Sequence, residues 1–149
     1  MISVISHCDP SLTSPNLKCI QSIVKSIFTD KKIKDAELSY IFCDDIYLSN
    51  LKKQFFSEDH FTDVIAFRLN NYDELKVEGE VYISLPRAKE NAKIYEAPYE
   101  EEVARLIIHG CLHLLGFSDE TKNQKKIMDD LENYFLNKVL WLTLFQNGS

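Results

Sequence analysis

The stretch YEEEVARLIIHGCLHLLGF, residues 99–117, constrains the fold most, because its apolar side chains fall on nearly every face of a helical period. Val103, Leu106, Ile107, Ile108, Cys111, Leu112 and Leu114 cannot all turn to one side. A helix over roughly 99 to 114 must therefore be the buried central element, with the rest of the chain packed around it. Pro98 opens it, Glu100, Glu101 and Glu102 suit the positive end of its dipole, and Gly116 suits the left-handed residue that ends it.

What surrounds this helix reads as a small mixed sheet and further helices. ISVISH (2–7), ELSYIFC (37–43), TDVIAFRL (62–69) and GEVYISL (79–85) carry strand patterns. The last two form a hairpin across the polar loop NNYDEL. LKCIQSIVKSIF (17–28) has helical spacing, as does DDIYLSNLKKQFF (44–56) behind Asp44 as an N-cap. RAKENAKIY follows Pro86 as another helix. Thr121 and Gln124 form a capping box for a last helix running to about 143. Strands and helices interleave without a strict βαβ repeat, so the expected fold is α+β, a metal-bearing central helix lying over a cleft. No repeat or Gly/Ser linker interrupts the 149 residues, and a single domain over 1–149 is expected.

The net charge of −6 argues against a general nucleic-acid coat, which binds phosphate through basic surface. RNA binding would need a local basic patch, a metal ion or a partner's surface. Cys8, Cys19, Cys43 and Cys111 show no CxxC pairing, which fits a reducing compartment. The first residues carry no secretory signal pattern, and VLWLTLF (139–145) is too short to span a bilayer. The expected compartment is the cytoplasm, without membrane attachment.

On a helix, His109 and His113 lie about 40° apart on one face, one turn above the other, so both imidazoles can reach one ion. After Gly116 the chain can turn back and offer Asp119 as third ligand. The alternative for the histidines is two separately hydrogen-bonded core residues. For Asp119 it is a helix N-cap, a role that Thr121 fills better. Asp59 and His60 sit in the loop before a strand, where they are either exposed or line the cleft mouth. His60 is the next ligand candidate after Asp119. Cys111, about 200° round the helix from His109, faces away and packs.

The spacing HxxxHxxGxxD resembles the HExxHxxGxxH signature of metzincin peptidases, but Gly110 stands where their catalytic glutamate would be. If that side of the helix faced the cleft, a glutamate at 110 would fit. HGCLHLLGFSD (109–119) resembles more closely the HGxLHLxGxxH signature of the YbeY family, bacterial endoribonucleases and rRNA maturation factors. TDVIAF (62–67) and GEVYIS (79–84) resemble that family's two strand motifs, and the resemblance runs from about residue 40 to 135. It implies a cleft between sheet and histidine helix, one divalent ion, zinc by type, and metal-dependent cleavage of single-stranded RNA. It also implies roles in rRNA maturation and ribosome quality control, with ribosomal subunits, ribosomal proteins or assembly factors as partners. By the same resemblance Thr62, Asp63 and Ser84 are substrate-binding candidates.

Two positions depart from the family pattern. Asp119 replaces a third histidine, which lowers the site's positive charge and suits harder ions better. Phe56 stands where many members carry an arginine. Lys52, one turn earlier, and Arg68, at the strand end, are the candidates for that charge, against ordinary surface roles. Rival readings are a metallopeptidase-like hydrolase, disfavoured by Gly110, and a non-catalytic ribosome-assembly factor with a structural metal.

Overall fold

The computed structural model describes residues 1–56 and 62–146. Asp59 and His60 lie outside the described residues, as does the side chain of Phe56. Four strands, β1 (Ile2–Cys8), β2 (Ala36–Cys43), β3 (Val64–Arg68) and β4 (Val77–Ser84), form one mixed sheet in the order β1-β2-β4-β3. β1 and β2 are parallel, as are β2 and β4, whereas β3 pairs antiparallel to β4 with Ala66 opposite Val81. Five helices complete an α+β fold: α1 (Leu17–Asp30), α2 (Asp45–Phe56), α3 (Leu85–Ile94), α4 (Tyr99–Leu114) and α5 (Lys122–Lys138).

Strand alternation divides the sheet. Val4, Leu38, Tyr40, Phe42, Val81 and Ile83 point to the face that carries α1 and α4 and build the main core there. Ile65 and Phe67 point to the other face, where they meet Leu48 and Leu51 of α2. The apolar stretch that reads as a central helix is α4, with ten of its sixteen residues buried. Its approach to the sheet is very close. A Cβ at Gly110 would overlap Val81 Cγ1, and one at Gly79 would lie 2.6 Å from Leu114 Cδ2. The buried Tyr40 hydroxyl donates to the Ile107 carbonyl at 2.9 Å, tying β2 to the middle of α4.

The expected tolerance of a glutamate at Gly110 is thereby corrected: that side of the helix faces the sheet, not the cleft. The expected length of the last helix is corrected too, since α5 ends at Lys138 and Val139 is extended, with φ −104° and ψ 153°. The apolar residues beyond it are not one more helical stripe. Leu144 is fully buried, and its carbonyl accepts from the Asn16 N–H at 2.6 Å, so the tail folds back over the start of α1.

Candidate metal centre

His109 and His113 occupy the last turns of α4, with Nε2 atoms 3.0 Å apart. The helix then stops in a Schellman arrangement. Gly116 has φ +100°, its N–H donates to the His113 carbonyl at 3.0 Å, and the Phe117 N–H donates to the Leu112 carbonyl at 3.1 Å. This reversal carries Asp119 back over the histidines. Asp119 Oδ2 lies 3.4 Å from His109 Nε2, and Oδ1 lies 3.7 Å from His113 Nε2. Thr121 caps α5 in a complete capping box with Gln124, so Asp119 is not spent as a cap.

His109, His113 and Asp119 each offer a donor atom, all within 4.8 Å of one another. Two imidazole nitrogens and a carboxylate oxygen converging on one point need a proton or a cation between them. Two nitrogen donors and one oxygen donor suit a divalent ion of zinc's type, and the residues fit it. Burial disfavours the charged form of both rings. For His109 the hydrogen bond and charge of Glu132 outweigh burial and its pKa rises; for His113 burial and the neighbouring His109 lower it.

His109 and Asp119 line a cleft of about 790 Å³, between α4, α5 and the start of β3, while His113 faces an adjoining hollow with Tyr72 and Phe117. The cleft floor holds three buried or half-buried groups outside the expected ligand set, Glu132, Arg105 and Glu102. Glu132 of α5 is 4% exposed, with Oε2 2.6 Å from His109 Nδ1 and Oε1 3.0 Å from Arg105 Nη1. Arg105 also donates to Asn133 Oδ1 at 2.9 Å. Glu102, read at first only as a dipole-compensating charge, is itself 4% exposed. Burial, with Asp63 and Glu132 adding to it against Asn91 and Arg105, pushes its pKa up to about 7. A signal for Glu132 was present: with Met128, Phe135 and Leu136 it lies on the apolar stripe of α5, an odd place for a carboxylate.

The other site candidates scatter. Asp63 lines the cleft and accepts from Asn91 Nδ2 at 3.1 Å. Thr62 is half-buried just before β3 and does not line the cleft. Ser84 is fully buried as the N-cap of α3, donating to Asp45 Oδ1 at 2.6 Å and accepting from the Arg87 N–H. Arg68 braces the β3–β4 loop and donates to the carbonyls of Leu114, Asn71 and Lys76 and to Asn70 Oδ1. Lys52 belongs to α2, across the sheet from α4. Neither cation lines the cleft, whose positive groups among the described residues are Arg105 and Lys125.

Fold and site together define an α+β protein able to hold one divalent ion at the wall of an open cleft. A family model described as Endoribonuclease YbeY matches residues 9–140, and the chain belongs to that family. A protein from Flavobacterium psychrophilum named Endoribonuclease YbeY is 38% identical over 74% of this chain and 77% of its own. One from Cytophaga hutchinsonii with the same name is 36% identical over 79% and 82%. A solution structure of a Thermotoga maritima protein superposes with a TM-score of 0.61 at 26% identity, covering 93% of this chain and 88% of that one.

Proposed function

We propose that this chain, acting as one domain over 1–149, is a metal-dependent endoribonuclease that cuts single-stranded RNA in rRNA maturation and ribosome quality control. The observation that carries this reading is the convergence of His109, His113 and Asp119 at the edge of a cleft, lined by His109 and Asp119, in a member of this family. Zinc is the ion proposed. When bound, it supplies Lewis acidity and positive charge beside the scissile phosphate. His109 and His113 orient it from α4, and Asp119 contributes the compensating carboxylate.

Electrostatics supports metal dependence. Asp63, Glu101, Glu102, Asp119, Asp129 and Glu132 line the cleft against Arg105 and Lys125. Among the described residues a polyanion entering the metal-free cleft would meet net repulsion, which the ion, Arg105 and Lys125 would offset. Arg105 remains 29% exposed beside His109's partner Glu132, placed to meet a backbone phosphate as well as to hold that carboxylate. Proposed partners are rRNA within a ribosomal subunit and adjoining ribosomal proteins or assembly factors, in the cytoplasm. Among the described residues no helix is long and apolar enough to cross a membrane.

The peptidase alternative loses its remaining support, because residue 110 is directed at Val81 and no base there could reach the donors. A purely structural metal is disfavoured by the open cleft beside the three donors. The test is cleavage of a labelled single-stranded RNA by wild type, His109→Ala and His113→Ala, with and without chelator. Loss of cleavage of at least a hundredfold is expected in both variants and in chelator, with restoration of wild type by added zinc. Undiminished cleavage by a variant that retains no metal would overturn the reading.

A further inference from the structure

We propose that Glu132, held by Arg105, is the positioning residue of the metal centre: it fixes His109 as the Nδ1–H tautomer and so presents the Nε2 lone pair to the ion. A carboxylate only accepts hydrogen bonds, so the 2.6 Å contact of Glu132 Oε2 with His109 Nδ1 requires the proton on Nδ1. The competing acceptors for that proton lie on the other side of the ring, where His113 Nε2 is 3.0 Å and Asp119 Oδ2 is 3.4 Å from Nε2. With Glu132 absent, a proton on Nε2 would pair with His113 Nε2 or Asp119 Oδ2 and close two ligand positions at once.

Glu132 keeps its place because its second oxygen is taken by Arg105 Nη1 at 3.0 Å, while Arg105 Nη2 reaches the next residue of α5, Asn133, at 2.9 Å. Arg105 stands one helical turn before His109 on α4. The same two helices therefore set both the carboxylate and the ring that it orients. His113 has a different brace, the backbone of Phe117. Only His109 depends on α5. Ligand imidazoles whose distal N–H meets a carboxylate lose metal affinity by about 10–100-fold when that carboxylate is removed.

The inference rests on the metal-binding reading, and two readouts separate the two. Glu132→Met conserves volume and removes both the acceptor and the buried charge, leaving Arg105 with access to water. Wild type and Glu132→Met are compared at pH 8 by long-range imidazole nitrogen NMR of the metal-free proteins and by zinc titration against a competing chelator. His109 is expected as Nδ1–H in wild type and with Nε2–H in the variant, the His113 pattern unchanged, and zinc affinity about 10–100-fold weaker. A His109 ring protonated at Nε2 in wild type overturns the proposal without any variant. So does a variant in which either the tautomer or the zinc affinity stays at the wild-type value. Failure of wild type to take up zinc would overturn the metal-binding reading, with the tautomer comparison still deciding the role of Glu132.

Discussion

Gly110 and Gly116 sit six residues apart in one motif for unrelated reasons. Gly116 is needed for its backbone, because φ +100° is strained for any residue with a side chain. Gly110 is needed for its lack of bulk: it lies on an ordinary helix, and a Cβ there would enter Val81. Helix propensity alone would favour alanine at 110 by about 1 kcal/mol. Overpacking against a fully buried valine reverses that sign, since inserting a methyl into a tight core costs typically about 1–3 kcal/mol. Gly110→Ala is therefore expected to lower the urea midpoint, and Gly110→Glu, which adds a buried charge, to prevent folding. An alanine variant as stable as wild type would show that β4 and α4 can separate at no cost.

At the scale of elements, the unit that makes the site is α4, its Schellman turn and the capped start of α5. α4 supplies two donors in register, the turn reverses the chain within three residues, and the capping box of Thr121 and Gln124 fixes where α5 begins. Asp119 hangs between two rigid ends. The two neighbouring polar residues should thus fail in different ways. Thr121→Ala is expected to lose about 0.5–2 kcal/mol of stability with zinc affinity unchanged. Asp119→Ala is expected to do the reverse, and Asp119→His to retain the metal, because imidazole is an equally competent donor. Zinc titration and urea unfolding of the three variants read both properties. Equal zinc affinity in Asp119→Ala and wild type would move the third ligand elsewhere. The strand order β1-β2-β4-β3 bears on the same unit, since it puts β3 at the sheet edge and brings Asp63 to the cleft beside α4.

For the molecule as a whole, the acidic cleft has a consequence for stability against pH. Glu102 keeps its proton up to about pH 7 in the folded protein, whereas an unfolded chain releases it near 4.5. Between those values the folded state binds the extra proton, so this group's contribution to stability falls as pH rises and levels off above about 7. A shift of this size corresponds to about 3 kcal/mol. Glu102→Gln keeps an acceptor for Asn91 and cannot ionise. It should equal wild type near pH 4 and exceed it in stability at pH 8, with the difference growing across the window between. Denaturant unfolding of both proteins in chelator at several pH values measures this. A constant difference across that range would mean that Glu102 ionises normally in its buried position.

Much of this was legible locally. The near-continuous apolar helix, the i and i+4 histidines, the stop at Gly116 and the capping box are short-range patterns. Helix period and backbone sterics turn them directly into geometry, so α4, the turn and two donors on one face could be read from the chain alone. The family resemblance carried by HGCLHLLGFSD likewise needs only neighbouring residues. Other properties depend on which element lies against which. That Gly110 faces a valine, that Ser84 is a buried cap, that Arg68 braces a loop and that the last helix stops at Lys138 are decided by packing across the sheet and against the α1 start. Glu132 and Arg105 belong to this second group. They are 27 residues apart in sequence and meet only because α5 docks on α4, where a buried carboxylate is stable only with a cation and an imidazole N–H to receive it.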